Sequence, residues 1–251
     1  EYRIIDDDAL IAQFRPLEQE AVNASDLRIA VSQALVDHWR ERYAYAGEAH
    51  VVIPCTLGKE VATPPHTSHL TPQPSNLATT SVRLVYSGST AGWQSFDLLK
   101  PLLIQVLDTQ PNAQVLFLSK RDANNSALEA AYPGRVAVKW LDHAQVAAAL
   151  AECDFGIMVR ERTITNRVAS PTKFAEYLSS GLRVITNEGL GDFSALVKAH
   201  ELGLVVVEGK PLPELKPVTP AERVRLRAFA LQHFTKQAHD ASYREVLEAL
   251  G

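Results

Sequence analysis

The segment SPTKFAEYLSSG, residues 170–181, sets a lysine where an ordinary helix would not choose one. Ser170 reads as an N-cap, Pro171 as the first helical residue and Gly181 as the residue just past the helix end. Lys173 then occupies the third helical position, where a capping box would carry Glu or Gln, and its charge faces the positive end of the helix dipole. A bound anion removes that conflict. Glu176 follows on the same face, while Phe174 and Leu178 mark the buried side. The plain alternative is a surface Lys173/Glu176 pair in the weaker order, which stabilises by at best about 0.2–0.5 kcal/mol. The pattern favours the anion.

The surrounding stretch, residues 158–183, holds Arg160, Arg162, Arg167, Lys173 and Arg183 against Glu161 and Glu176, a net +3 inside an acidic chain. Free backbone N–H groups at the helix start, with Arg160 and Lys173, make a site for phosphate groups. Taken alone, Arg162 and Arg167 read as a solvated basic loop. A second candidate is YSGSTAGWQS, where Gly88 and Gly92 allow close backbone approach and Ser89 and Thr90 offer hydroxyls. It lacks the GxGxxG spacing and a Walker lysine, so a tight turn before a helix explains it equally well. Asp6, Asp7 and Asp8 read as a polar strand end rather than a metal site. His66 and His69 have HxxH spacing but lie in a proline-rich stretch without nearby carboxylates, which is poor for zinc. No metal is expected.

These residues need a frame. From residue 82, short apolar runs alternate with helical segments: VRLVYS, AQVLFLS, RVAVKW, DFGIMV, LRVITN and LGLVVV, separated by SFDLLKPLLIQVLDTQ, AQVAAALAE, PTKFAEYLSS and FSALVKAH. Strand and helix in repetition predict an α/β domain with a doubly wound, Rossmann-like parallel sheet of about six strands. Ligands of such sheets bind beyond the carboxyl ends of the strands. Residues 1–57 read as a partial second α/β unit, with strands RIID, LRIAV and HVVIP and helices around LEQEAVNA and SQALVDHWRERY. So thin a sheet needs a larger surface to lean on. A proline-rich linker spans 58–81, and residues 54–74 hold five of the fourteen prolines. The doubly wound domain then covers 82–251, closing on two amphipathic helices, the first capped by Thr219 with Pro220 following.

Composition bounds the rest. The chain has 251 residues, 46% of them hydrophobic, which is ample for a packed core. A net charge of −4 gives no reason to expect nucleic acid. Cys55 and Cys153 lie far apart, which excludes a disulfide framework or zinc cluster built on CxxC and suits a reducing cytoplasm. The start, EYRIIDDDAL, carries no initiator Met and no basic, apolar signal segment, which suits a piece of a longer chain.

The stretch NRVASPTKFAEYLSSGLRVITNEGLGDFSALV, residues 166–197, resembles the recurrent NR.ASP.KF.EYL..G.PVI segment of retaining family 4 glycosyltransferases of the GT-B fold. The likeness extends more diffusely from residue 82 to the end, and SDLRIAVSQALVDHW resembles a segment near the end of that family's first domain. It implies that Glu176 hydrogen-bonds the donor ribose, and that Ser170, Pro171, Thr172 and Lys173 hold the donor diphosphate. Gly88 and Ser89 match the loop that approaches the donor from the first strand. The base pocket falls around Ser119, Lys120 and Trp140. Two departures stand out. The first glutamate of the family's ExxxxxxxE pattern would sit where this chain has Val168, and its usual Arg and Lys after the first strand are missing from TAGWQSFDLLK, so Arg160 is the candidate substitute.

The resemblance implies sugar transfer from a nucleoside diphosphate sugar to the hydroxyl of a glycan or lipid-linked acceptor, with retention and no cofactor, as in polysaccharide biosynthesis. Peripheral membrane association of the complete protein is compatible with it. A full first domain would match the second in size, so little transfer is expected of this chain alone. The rival readings are an epimerase of the same fold, for which no acid/base pair stands out, and a degenerate, nucleotide-binding assembly partner, to which Val168 lends support.

Overall fold

The computed structural model describes residues 8–58, 81–88 and 95–249. The RIID strand, the linker prolines, His66, His69, Ser89, Thr90 and Gly92 lie outside the described residues. Asp8, expected at a strand end, instead opens helix α1, Asp8–Ala24, which contains LEQEAVNA. Strand β1, Arg28–Ala30, helix α2, Gln33–Tyr43, and strand β2, His50–Val52, follow, and β1 pairs β2 in parallel with Ile29 opposite Val51.

The six apolar runs form one parallel sheet: β3 Arg83–Ser87, β4 Gln114–Leu118, β5 Val136–Lys139, β6 Phe155–Met158, β7 Arg183–Asn187 and β8 Gly203–Val206. Their order is β5-β4-β3-β6-β7-β8. The winding therefore reverses between β3 and β6, and the crevice at their carboxyl ends is the topological switch point.

Successive strand residues point to opposite faces, so both faces of the sheet become core. Leu84, Tyr86, Phe155, Ile157 and Ile185 pack under α3, Phe96–Thr109, through its Leu99, Leu103 and Val106, and under α4, Ala123–Ala131, through Leu128. Val85, Met158 and Val184 face the other way. They meet α5, His143–Ala151, α7, Thr172–Ser179, α8, Gly191–Ala199, and α9, Pro220–His233. Phe174 meets Phe193 and Phe234 edge-on there and those two rings stack, with centroids 4.8–6.2 Å apart. A short helix, α6, Ile164–Val168, precedes α7, and α10, Asp240–Ala249, touches β2 and so returns to the first unit. Thr219 caps α9 as expected, in a reciprocal capping box with Glu222.

The first unit leans on the larger sheet through named contacts. Ser32 Oγ donates to the Val168 carbonyl at 2.7 Å, Leu57 N–H to the Phe234 carbonyl at 2.7 Å, and Arg167 pairs with Glu41 at 3.2 Å.

Candidate functional site

The crevice between β3 and β6 is where the predicted residues should meet, and Arg160 stands at its edge two residues beyond Met158. Asn187, at the end of β7, fixes the backbone there. Its Oδ1 accepts from Arg160 N–H at 2.9 Å and its Nδ2 donates to the Arg160 carbonyl at 2.8 Å. The side-chain amide thus acts as one more rung of the β6–β7 ladder. The Arg160 side chain is half-buried beside Tyr86 and Tyr177, and this desolvation pulls its pKa below the ordinary value without discharging it. Among the described residues no carboxylate pairs with its guanidinium. A cation partly withdrawn from water without a counter-ion carries a desolvation cost, which an anionic ligand would offset.

Helix α7 begins one residue later than the sequence pattern predicts. Its N-cap is Pro171, in an extended conformation and without a side-chain cap bond, and Thr172 is the first helical residue. The Ser170 hydroxyl is taken by a tertiary partner, accepting the Cys55 N–H at 2.9 Å from the strand-like segment after β2. The capping-box frame therefore does not apply, and Lys173 is the second helical residue rather than the third. The helix does end as expected, with Gly181 just past Ser180 at φ +81°, a left-handed conformation that suits glycine.

Lys173 Nζ lies 2.9 Å from Glu176 Oε2, with the two side chains 30% and 24% exposed. The plain Lys/Glu pair is therefore formed, and it brings the two residues assigned to diphosphate and ribose together on one face. Gly88 lies directly after β3, with its N–H directed to the Leu118 carbonyl at 3.4 Å. Ser119, Lys120 and Trp140 also come together, at the carboxyl ends of β4 and β5. Lys120 Nζ stands 5.5 Å from the centroid of the Trp140 ring, which is 67% exposed. Ser119 is buried and accepts from Asn125 Nδ2 at 3.3 Å, and the same amide donates to the Lys120 carbonyl at 2.9 Å.

Three participants were not singled out from sequence. Asn187 and Tyr86 carry no local signal. Tyr177 was visible only as part of the EYL run, and Gly156, the β6 residue its ring packs against, as a glycine inside an apolar strand, which marks close backbone approach. Burial pushes the Tyr86 phenol up to about 12. Among the described residues no cluster of three His, Cys, Asp or Glu side chains could hold a metal ion. No described helix is long and apolar enough to cross a membrane.

No protein-family model matches the chain, and no curated protein sequence matches it. Solved structures do. Anabaena Alr3699/HepE, solved in complex with UDP and glucose, superposes with a TM-score of 0.65 at 16% identity, covering 94% of this chain and 66% of that one. The GtfA/B complex gives a TM-score of 0.64 at 13% identity, covering 94% and 48%. A glycosyltransferase from Rickettsia africae ESF-5 gives 0.64 at 12% identity, covering 92% and 66%. The fold is thus the Rossmann-like α/β fold of GT-B glycosyltransferase structures, and the chain spans about half to two thirds of their length.

Proposed function

We propose that this chain binds the nucleoside diphosphate of a sugar donor and serves a retaining, family 4-like glycosyltransferase. The observation that carries this reading is the Arg160 guanidinium, half-buried at the switch point without a carboxylate partner among the described residues. Arg160, Lys173 and the free N–H groups at the start of α7 stabilise the charge that develops on the leaving diphosphate. Gly88, directly after β3, approaches it from one side, with the backbone at Ser170, Pro171 and Thr172 on the other. Glu176 accepts the ribose hydroxyls, and the base rests near Ser119 against the Lys120 and Trp140 pair. The fold likeness to an Anabaena protein solved with UDP and glucose supports a nucleotide-sugar donor. The acceptor is a glycan or lipid-linked hydroxyl, and no metal is invoked.

Calorimetry with UDP, GDP and ADP against their free nucleosides tests this. Diphosphate binding that exceeds nucleoside binding supports the site. Equal affinity for UDP and uridine would remove the phosphate assignment.

A further inference from the structure

We propose that Tyr177 is a positioning residue whose hydroxyl holds the ends of β3 and β6 apart and so sets the width of the crevice. As a statement about donor binding this rests on the reading above. Strand β3 pairs β4 at all five of its positions, from Arg83 opposite Gln114 to Ser87 opposite Leu118. Against β6 it pairs at only two, Leu84 opposite Phe155 and Val85 opposite Gly156. The next bond of a parallel ladder would run from the Ser87 N–H to the Ile157 carbonyl. The Tyr177 hydroxyl stands between them instead. It accepts the Ser87 N–H at 3.0 Å and points its own proton at the Ile157 carbonyl at 3.4 Å.

One oxygen atom therefore replaces a direct rung. Both backbone groups keep a partner, so the opening costs no orphaned polar group. The ring reaches this place only because residue 156 is glycine, since a Cβ there would lie 2.2 Å from the Tyr177 Cγ. Tyr177 is fully buried, and burial raises its phenol well above the ordinary range, so the hydroxyl keeps the proton it donates. Gly88 follows the accepted N–H directly, and Arg160 lies three residues beyond Ile157. A direct rung would carry ordinary strand spacing of about 4.8 Å toward the backbones that must admit a phosphate.

Tyr177→Phe keeps the ring and removes the oxygen. The expected result is a cooperative thermal melt together with UDP affinity lowered about tenfold or more, as the Ser87 N–H and Ile157 carbonyl close on each other. In the unmodified protein, NMR should show a slowly exchanging Tyr177 hydroxyl proton with a cross-peak to the Ser87 amide. Tyr177→Phe that binds UDP as the parent does overturns the positioning role, and a folded parent without that protected proton overturns the wedge even if the variant fails to fold. A parent that binds neither UDP, GDP nor ADP overturns the donor reading and the positioning role together, whatever the NMR result.

Discussion

The carboxylate of Asp192 sits on the N-terminus of the helix that begins at Gln33, accepting the Gln33 N–H at 2.6 Å and the Ala34 N–H at 3.0 Å. Ser32 takes the Leu35 N–H at 3.0 Å, so three donors at the start of α2 are satisfied, two of them from across the chain. Asp192 also lies in the first turn of α8, so one carboxylate serves two helix starts. This contact ties the small two-stranded unit to α8 of the larger domain.

Asp192→Ala should lower stability by about 1–2 kcal/mol, in the range of a lost N-cap, with Asp192→Asn retaining part of it. Urea unfolding measures the loss, and amide exchange should show it concentrated in α2. An alanine variant as stable as the parent would mean that the contact contributes nothing in solution.

Arg160 should separate binding from stability. Its half-buried charge has no carboxylate partner among the described residues, so Arg160→Met removes an unfavourable desolvation and should leave the melting temperature unchanged or raised. Diphosphate affinity should fall by about 1.5–3 kcal/mol, the scale of a charge-assisted hydrogen bond. Undiminished UDP affinity in a folded Arg160→Met protein would take Arg160 out of the site.

Glu176→Gln distinguishes a ribose ligand from a surface partner of Lys173. As a mere ion-pair partner, this residue should cost under about 0.5 kcal/mol of stability on change to Gln and leave nucleotide binding alone. As the ribose acceptor it should lose part of the nucleotide affinity, and Glu176→Ala most of it, because Gln keeps one acceptor oxygen. Calorimetry and a melt on the same sample decide between the two.

The end of α9 carries a pH-dependent contact. His233 stacks on Phe229 at 4.3 Å between centroids, lies 6.3 Å from the His200 ring, and lends its carbonyl to His239 Nε2 at 2.9 Å. Burial, then the neighbouring His200 and His239, lower its pKa below 6.5. The unfolded chain then binds the proton first, so the contribution is whole above about pH 6.5 and declines as the pH falls toward the folded-state value. Thermal melts from pH 7.5 to 5.5 should show this loss, and His233→Gln should flatten it.

The sheet was legible because each of its six strands is an apolar run of strand length, a pattern that needs burial on both faces. Helix α4 was not, since ANNSALEAA offers little apolar periodicity, and only Asp122 and Asn125, which form its capping box, announced it. Ser170 shows where local reading stops. Its pattern suits an N-cap, but its hydroxyl went to Cys55, 115 residues away in sequence, and the helix start moved by one residue.

By itself, then, the sequence determined the doubly wound frame, the end of α7 at Gly181 and the nearness of Lys173 to Glu176, because strand burial, helix capping and one-turn spacing are local consequences of residue order. Only the tertiary structure decided that Arg160 lies half-buried beside two tyrosines, that Asn187 completes its backbone, and that the Tyr177 hydroxyl takes the place of a rung between β3 and β6. Each of these depends on what a side chain meets, or fails to meet, from strands far along the chain, and no spacing rule carries that information.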